Sequence, residues 1–468
     1  MSNPDVSPAE IRSRLDHPVI DADGHIFEYM PALDTYLREE GIEGGSREVM
    51  GAASFDGTPL WQNLQEDERW AHRTYRSPWW GMPMANTLDF ATSQAPALLY
   101  ERLEELGLDY AVCYPSIGLN LPMNPDEKTR RRACRGLNRY LADSFAGLDD
   151  RLTPVAVIPT FTPAEALEEL DWAVGEGGFK AAMIAGFAIR PVPGGQPGET
   201  WIDSLGLDSA HDYDPLWRRL VELRISPGVH SGSMGWSGRR SVTNFSYNHM
   251  GNFAGAAEAT AKSMFFGGVL KRFPELRIAF LEGGVTWAVQ MLADLVSHWE
   301  KRGPAGLEHY DPAALDAERF DELVAGHANG ISAVSGYGEL SKRGFATDHV
   351  VNDFEAAGIT GPADIVEQIT RSCYFGCEAD DPLTGLAFDT RRNPRGATDI
   401  GHWDVPDMLG VLPEVYEHLE HDWLSPEQLR AFVCDNAARF YSESNPDFFR
   451  GTAVEDYVAG LAPRAQGA

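Results

Sequence analysis

The sequence has few basic side chains: its 468 residues include 39 Lys and Arg against 70 Asp and Glu, a formal net charge of −31. Nucleic acids and anionic membrane surfaces attract basic proteins, so this charge argues against both as partners. The sequence also lacks a run of about 18 apolar residues, the length that a transmembrane helix needs. Its first residues are polar and contain no apolar signal-peptide core, so we expect a cytoplasmic protein.

Cysteine is also scarce, with five residues scattered along the chain. An odd and scattered set does not suggest a disulfide framework. Cys373 and Cys377 lie close together, but no second Cys or Cys/His pair follows at the spacing of a zinc site. We therefore expect buried free thiols.

Short apolar runs, most of them separated by helical patterns, predict buried parallel strands. The eight runs are 19–25, 109–116, 152–159, 179–186, 226–232, 276–283, 373–378 and 397–402. The intervening helices include 129–148, 163–176, 214–223, 258–272 and 286–302. This alternation predicts an α/β fold, a (β/α)8 TIM barrel. An open doubly wound sheet is the alternative, but the Gly-rich phosphate turn expected after its first strand is missing.

Two intervals between predicted strands are unusually long. We interpret residues 30–105 and 300–370 as insertions after strands 1 and 6 of a single domain, 1–468, with a barrel core of about 19–441. Insertions of this kind often build the mouth of a barrel site. The first one is rich in aromatic residues, including Trp61 and Trp80, which suits an apolar lid over a ring-bearing substrate.

The first strand ends in the motif VIDADGH. Strand alternation predicts that Asp21, Asp23 and His25 share one side, toward the barrel interior. A buried carboxylate and imidazole need a partner, and a metal ion would supply one. The alternative interpretation is an Asp-rich surface turn.

Two further strands end in the same way. His230 closes the fifth strand in PGVHSG, and Asp399 lies at the last strand in ATDIGHWD, with His402 and Asp404 nearby. Two histidines and two carboxylates at strand ends suit Zn²⁺ first and Mn²⁺ second, with an open position for water or substrate. A structural histidine and an ordinary polar loop are the alternatives.

Other polar residues also follow predicted strands. Glu282, in LEGG after the sixth strand, suits proton transfer, contact with a metal-bound water or orientation of a histidine. A carboxylate near a helix N-terminus is an equally good interpretation of Glu282. Candidates for substrate contact are His249, Arg239, Trp80 and Glu378, for which a solvated surface position is the alternative.

Taken together, these motifs resemble the amidohydrolase-related family that contains aminocarboxymuconate semialdehyde decarboxylase. The resemblance covers residues 19–441 through VIDADGH, DPLWRRLVELRISPGVHSG, FFGGVLKRFPELRIAFLEGG, ATDIGHWD and CDNAARFY. It implies a metal-dependent barrel, a homodimer, and a metal held by Asp23, His25, His230 and Asp399, with His402 matching a later family histidine. The family usually has a histidine where this chain has Glu282.

That replacement makes hydrolysis our leading expectation. A metal-activated water would attack an amide, ester or lactone-like bond of a small ring-bearing substrate, with Asp399 as base and Glu282 or His402 assisting the leaving group. The alternative is non-oxidative decarboxylation of an aromatic or enoic acid, in which Asp399 protonates the carbon. A non-catalytic barrel that binds a metal or ligand is a third possibility, from a different class.

Overall fold

One parallel sheet of eight strands organises the computed structural model, which describes residues 6–50, 60–78, 85–196, 198–233, 236, 238, 240–310, 314–329, 336–344, 352–379, 381, 394–396, 400, 405 and 407–461. Strands β1–β4 are Ile20–Ile26, Tyr110–Pro115, Leu152–Ile158 and Ala181–Ile184. After a separate hairpin, β5 (Ala188–Pro191) and β6 (Thr200–Asp203), the sheet continues with β7–β10 at Pro227–Val229, Ile278–Phe280, Cys373–Cys377 and Pro394–Gly396. The sheet order is β1-β2-β3-β4-β7-β8-β9-β10, and the α/β architecture is therefore confirmed.

The predicted continuous apolar runs form the first seven strands of this sheet. β1, β2, β4 and β9 are buried at every residue, as expected for strands covered on both faces. The five cysteines are buried free thiols, as predicted. Among the described residues, no helix is both long enough and apolar enough to cross a membrane.

The last strand that the structure describes, β10, comes just before the run 397–402 that the sequence pattern predicts. β10 covers Pro394–Gly396 and pairs with β9, whereas of the predicted run 397–402 only Ile400 lies within the described residues. The segment Pro-Arg-Gly has no apolar pattern in the sequence, and backbone pairing with β9 defines it as a strand. The backbone N–H of His25 donates to the carbonyl of Ile400 at 2.7 Å, which brings the chain after β10 against β1.

Helices follow most strands and cover the sheet. They are Pro8–Arg14, Met30–Glu39, Ser46–Met50, Glu66–His72, Thr87–Thr92, Pro96–Leu106, Glu127–Ser144, Pro163–Gly175, Asp214–Glu222, Phe245–His249, Asn252–Phe266, Val269–Arg272, Thr286–Arg302, Pro304–Leu307, Ala317–His327, Tyr337–Gly344, Pro362–Ser372, Val411–Glu420, Pro426–Arg430, Asn436–Ser442 and Glu455–Ala459. Short 3₁₀ turns lie at Trp61–Asn63, Ile117–Met123, Glu308–Tyr310 and Met408–Gly410, and a π-helical turn lies at Ala431–Asp435.

The single helix predicted at 258–272 is wrong in its bounds. The structure has Asn252–Phe266 followed by Val269–Arg272, with a break at Gly267 and Gly268. Gly268 has a φ of +72°, and a Cβ at Gly267 would lie 1.9 Å from the carbonyl oxygen of Gly206. Because the backbone at Gly206 approaches so closely, position 267 requires glycine, and the first helix ends at this point.

The hairpin β5–β6 was absent from the sequence prediction. Its strands have four residues each, too short for a clear periodic signal. Arg190 of β5 forms a buried ion pair with Asp203 of β6 at 2.5 Å and donates to the hydroxyl of Tyr213 at 2.9 Å. Arg190 therefore stabilises the hairpin.

Lys180 precedes β4 and lies at the opposite edge of the sheet from the strand-end motifs. Its ammonium group donates to the carbonyl of Phe448 at 2.8 Å and lies over the rings of Tyr110 and Phe448. Burial lowers the pKa of Lys180 from 10.5 to about 8. Between these values the unfolded chain binds more protons than the folded one, so stability contributed by this residue increases as pH rises.

We expect Lys180→Met to abolish this pH dependence. The wild-type free energy of unfolding should rise by about 1–2 kcal/mol relative to the variant between pH 7.5 and 10, a value reduced from the full shift because the side chain is partly exposed. Urea unfolding at both pH values measures the difference, with the exposed Lys301→Met as control. An equal change in the free energy of unfolding of wild type and Lys180→Met between the two pH values would contradict the lowered pKa of Lys180.

Candidate metal centre

Three predicted ligands meet at the carboxyl edge of the sheet. Asp23 and His25 belong to β1, and His230 directly follows β7. All three side chains are buried, and one potential ligand atom from each lies within 4.8 Å of the others. The carboxyl ends of parallel strands share one edge, which explains how residues more than 200 positions apart come together.

The two imidazoles present the same ring nitrogen to one point. His25 Nε2 and His230 Nε2 are 3.1 Å apart, and both are just under 4 Å from Asp23 Oδ1, at 3.9 and 3.8 Å. Two nitrogen ligands of a tetrahedral Zn²⁺, at about 2.0–2.1 Å from the ion, are roughly 3.3 Å apart. The donor set and its spacing therefore fit a divalent cation between the two rings.

Glu282 also lies at this point. Its Oε1 is 2.9 Å from His25 Nε2 and 3.0 Å from His230 Nε2, closer than Asp23. The next helix begins only at Thr286, so the carboxylate contacts the two histidines rather than capping a helix. Glu282 has a φ of +51°, a left-handed conformation that costs a non-glycine residue about 1 kcal/mol or more. Such strain is typical of functional sites.

A β-bulge shapes the first ligand-bearing strand. Asp21 pairs with Ala111 and Gly24 with Cys113, so three steps along β1 match two steps along β2. The bulge therefore interrupts the alternation predicted for Asp21, Asp23 and His25, although Asp23 and His25 still meet at the same site. Asp21 instead accepts a hydrogen bond from the backbone N–H of Asp23 at 3.2 Å, and the bulge re-aims the ligand side chains that follow it.

Two aromatic residues support the histidines, and neither is among the site residues predicted from the sequence. The ring of Tyr114 lies 6.1 Å from that of His25 and 5.5 Å from that of His230, and the ring of Phe253 packs edge-on against His230 at 5.5 Å. Tyr114 is near the carboxyl end of β2, the same edge as the ligands. That position is the signal that could have identified it.

Part of the predicted first insertion is hydrogen-bonded to the loop after β7. The indole N–H of Trp61 donates to the carbonyl of Val242 at 2.6 Å, and the amide of Asn248 donates to the carbonyl of Arg76 at 2.6 Å. Trp61 therefore holds this segment against the loop that begins at His230.

Of the remaining predicted site residues, two lie within the described part of the chain and four lie outside it. A ring nitrogen of His249 is 3.2 Å from the carbonyl oxygen of Pro78, and Glu378 follows β9, where its backbone N–H donates to Asp381 at 3.0 Å. Four predicted residues lie outside the described residues: Trp80, Arg239, Asp399 and His402.

Gly376 of β9 packs directly against the site. A Cβ at this position would lie 3.0 Å from Leu281 Cα, 3.1 Å from the Glu282 nitrogen and 3.2 Å from Asp23 Oδ2. We expect Gly376→Ala to displace both carboxylates by a few tenths of an ångström. The affinity for Mn²⁺ should fall by about 10–100-fold, the usual effect of disturbing groups that orient ligands.

Calorimetric titration of metal-free protein with Mn²⁺ measures this effect. Gly175→Ala is the matched control, since a Cβ there meets open space. Equal affinity in Gly376→Ala and wild type would show that the packing of β9 does not set the carboxylate positions.

Comparison with known proteins agrees with the motifs. The amidohydrolase family model matches residues 121–327, which include His230 and Glu282. The decarboxylase orsB of Emericella nidulans is 28% identical over 191 residues, 37% of this chain and 51% of that protein. The match therefore spans about half the length of that relative.

Solved structures share the fold over most of both chains. An amidohydrolase from Mycobacterium avium subsp. paratuberculosis K-10 has a TM-score of 0.55 at 18% identity and covers 91% of this chain and 98% of its own. A 2,6-dihydroxybenzoate decarboxylase bound to 2,6-dihydroxybenzoate has a TM-score of 0.51 at 12% identity, with coverage of 91% and 99%. A 5-carboxyvanillate decarboxylase from Novosphingobium aromaticivorans DSM 12444, solved with manganese and 4-hydroxy-3-methoxy-5-nitrobenzoic acid, has a TM-score of 0.51 at 15% identity, with coverage of 91% and 96%.

The predicted relation to the amidohydrolase-related family is confirmed by these matches. The chain is thus similar to amidohydrolases over its middle part, and it has an α/β fold and a candidate metal site.

Proposed function

We propose that this enzyme is a metal-dependent, non-oxidative decarboxylase of a small ring-bearing carboxylic acid. The observation that carries the proposal is the position of Glu282, whose carboxyl group lies within 3.0 Å of both histidines at the candidate metal centre. The curated relative is a decarboxylase, which supports this reaction over hydrolysis. Hydrolysis, our leading expectation from the sequence, receives no specific support from the relatives.

The replacement of the family histidine by Glu282 does not separate the two reactions. A carboxylic acid can deliver a proton to a carbon atom as well as to a leaving group. Glu282 therefore remains suited to a proton-transfer step when the reaction is decarboxylation. The presence of a glutamate at this position no longer favours hydrolysis.

We also propose that the sheet closes into a (β/α)8 barrel within a single domain. β1 and β10 are the two ends of the eight-stranded sheet, and the hydrogen bond from His25 to Ile400 joins β1 to the chain after β10. Closure would place every strand end around one mouth, with the ligands at its centre. The predicted insertions would then surround that mouth.

Asp23, His25 and His230 would hold one divalent ion, and the sequence adds Asp399 as a fourth ligand. Nitrogen and carboxylate donors accept zinc or manganese, and the 5-carboxyvanillate decarboxylase was solved with manganese. When bound there, the ion would supply Lewis-acid chemistry that stabilises negative charge near the reacting carbon. The burial of the three described ligands keeps bulk water away from this centre.

The protein then supplies the proton. The bond between the ring carbon and the carboxylate breaks, carbon dioxide leaves, and the electron pair stays on carbon. Glu282, as the carboxylic acid, delivers a proton to that carbon, a C–H bond forms, and the resulting carboxylate regains a proton from water. Asp399 is the alternative proton donor, and His402 is proposed to assist it. Homodimer formation and a cytoplasmic location remain predictions from the sequence.

We expect Glu282→Gln to reduce carbon dioxide release by at least about 100-fold, because an amide cannot deliver the proton. The amide oxygen can still face the ion, so Mn²⁺ should remain bound. The assay uses manganese-loaded enzyme with a panel of carboxyl-¹³C hydroxybenzoates and muconates, and NMR detection of labelled carbon dioxide and bicarbonate. Glu275→Gln, an exposed carboxylate near the other end of β8, is the control.

Solvent labels separate the competing reactions. Decarboxylation in D₂O places one deuterium on the carbon that lost the carboxylate. Incorporation of ¹⁸O from water into the product of an ester or lactone, without carbon dioxide release, would refute decarboxylation in favour of hydrolysis. Turnover of neither substrate class would favour a non-catalytic barrel.

A further inference from the structure

A buried ion pair joins two consecutive helices of the first insertion, Thr87–Thr92 and Pro96–Leu106. Arg102 Nη1 is 2.7 Å from Asp89 Oδ1, and both side chains are almost fully buried. The same guanidinium nitrogen donates to Thr92 Oγ1 at 2.8 Å. A buried ion pair often adds little stability over apolar packing, whereas its directional hydrogen bonds hold the two helices in one arrangement.

Asp89 uses its other carboxylate oxygen to bind the chain that follows the last strand. Asp89 Oδ2 accepts a hydrogen bond from the backbone N–H of Met408 at 3.0 Å, and Met408 is fully buried. Met408 begins the 3₁₀ turn Met408–Gly410, which comes after β10. The ion pair therefore connects the helix Thr87–Thr92 to the chain after β10.

The other end of the same helix is bonded to the chain that leaves β1. The carbonyl of Ser93, the residue after Thr87–Thr92, accepts a hydrogen bond from the backbone N–H of Phe27 at 2.6 Å. Phe27 directly follows β1 and lies two residues after the candidate metal ligand His25. The helix is thus bonded on one side to the ligand-bearing end of β1 and on the other side to the chain after β10.

The boundary between β1 and the chain after β10, which we call the seam, is where the two ends of the eight-stranded sheet meet. The hydrogen bond from His25 to Ile400 crosses the seam directly. Thr87–Thr92 crosses it a second time, through its bonds to Phe27 and Met408. Because His25 lies between these two crossings, the geometry of the seam sets where its imidazole lies.

We propose that Asp89 and Arg102 form a seam clamp, a pair of positioning residues that holds the ligand-bearing end of β1 against the chain after β10. The clamp acts on His25 through the backbone of Ser93 and Phe27. This inference rests on the proposed function, because it takes His25 to be a metal ligand. It adds a positioning role to the first insertion, beside the covering role expected of a segment at the mouth.

Hydrogen exchange tests the seam clamp in metal-free protein. In Asp89→Ala, we expect the backbone amides of residues 24–28 to exchange at least about tenfold faster than in wild type, because the acceptors of His25 and Phe27 are no longer held in place. The amide of Val157 in β3 is the internal reference. Asp89→Asn keeps one side-chain oxygen, so its exchange rates should lie between those of Asp89→Ala and wild type.

Manganese binding tests whether the seam clamp positions the ligands. Calorimetric titration of metal-free Asp89→Ala with Mn²⁺ should give an affinity at least about tenfold below that of wild type, as when groups that orient metal ligands are disturbed. Asp89→Asn should recover part of this affinity, since it can still accept the hydrogen bond from Met408.

Glu165→Ala and Glu165→Gln are the matched controls. Glu165 forms a similarly buried ion pair with Arg130 at 2.9 Å, between the helices Glu127–Ser144 and Pro163–Gly175. Removing this pair should also lower stability. The exchange of residues 24–28 and the affinity for Mn²⁺ should nevertheless stay within about twofold of wild type, because distant sites act independently.

Unchanged exchange of residues 24–28 in Asp89→Ala, or an equal increase in Glu165→Ala, would overturn the seam clamp. Faster exchange with wild-type affinity for Mn²⁺ would also overturn the inference, because the clamp would then not position the ligands. If Asp89→Ala does not fold, Asp89→Asn and Glu165→Gln decide by the same two measurements. If wild type itself binds no Mn²⁺, the proposed metal centre fails, and the exchange comparison still decides whether the seam is clamped.

Discussion

The convergence of one carboxylate oxygen on two imidazole nitrogens is the interaction on which the site depends. Glu282 Oε1 lies within 3.0 Å of His25 Nε2 and His230 Nε2, in a buried region where charge is costly unless it is balanced. Two histidines, Glu282 and Asp23 therefore form a group that needs a shared cation or proton. The left-handed backbone at Glu282 shows that the fold accepts strain to keep this carboxylate in place.

The surrounding sheet keeps these side chains together. The bulge in β1 alters the alternation just before Asp23, and Gly376 lets β9 approach the backbone of Glu282 closely. Tyr114 packs against both imidazole rings from β2. β1, β2 and β9 thus contribute ligands, aromatic packing and space for the ligands, and small changes in this packing should alter metal affinity before they alter the fold.

The sequence predicts the parts of the site that follow from strand ends. Asp23, His25 and His230 each close an apolar run, and a parallel sheet brings such ends to one edge. The sequence also offers Glu282 as a carboxylate that orients a histidine, but its contact with both imidazoles depends on a φ of +51°, which no pattern predicts. β10 could not be predicted either, because its residues have no apolar run.

Crystals grown with Mn²⁺ and measured near the manganese absorption edge test the central claim most directly. An anomalous difference map should show one strong peak per chain, about 2.0–2.3 Å from the Nε2 atoms of His25 and His230 and bonded to at least one neighbouring carboxylate. No peak between the two rings, or one at a distant surface site while this position holds only solvent, would contradict the assignment of this cluster as the metal centre.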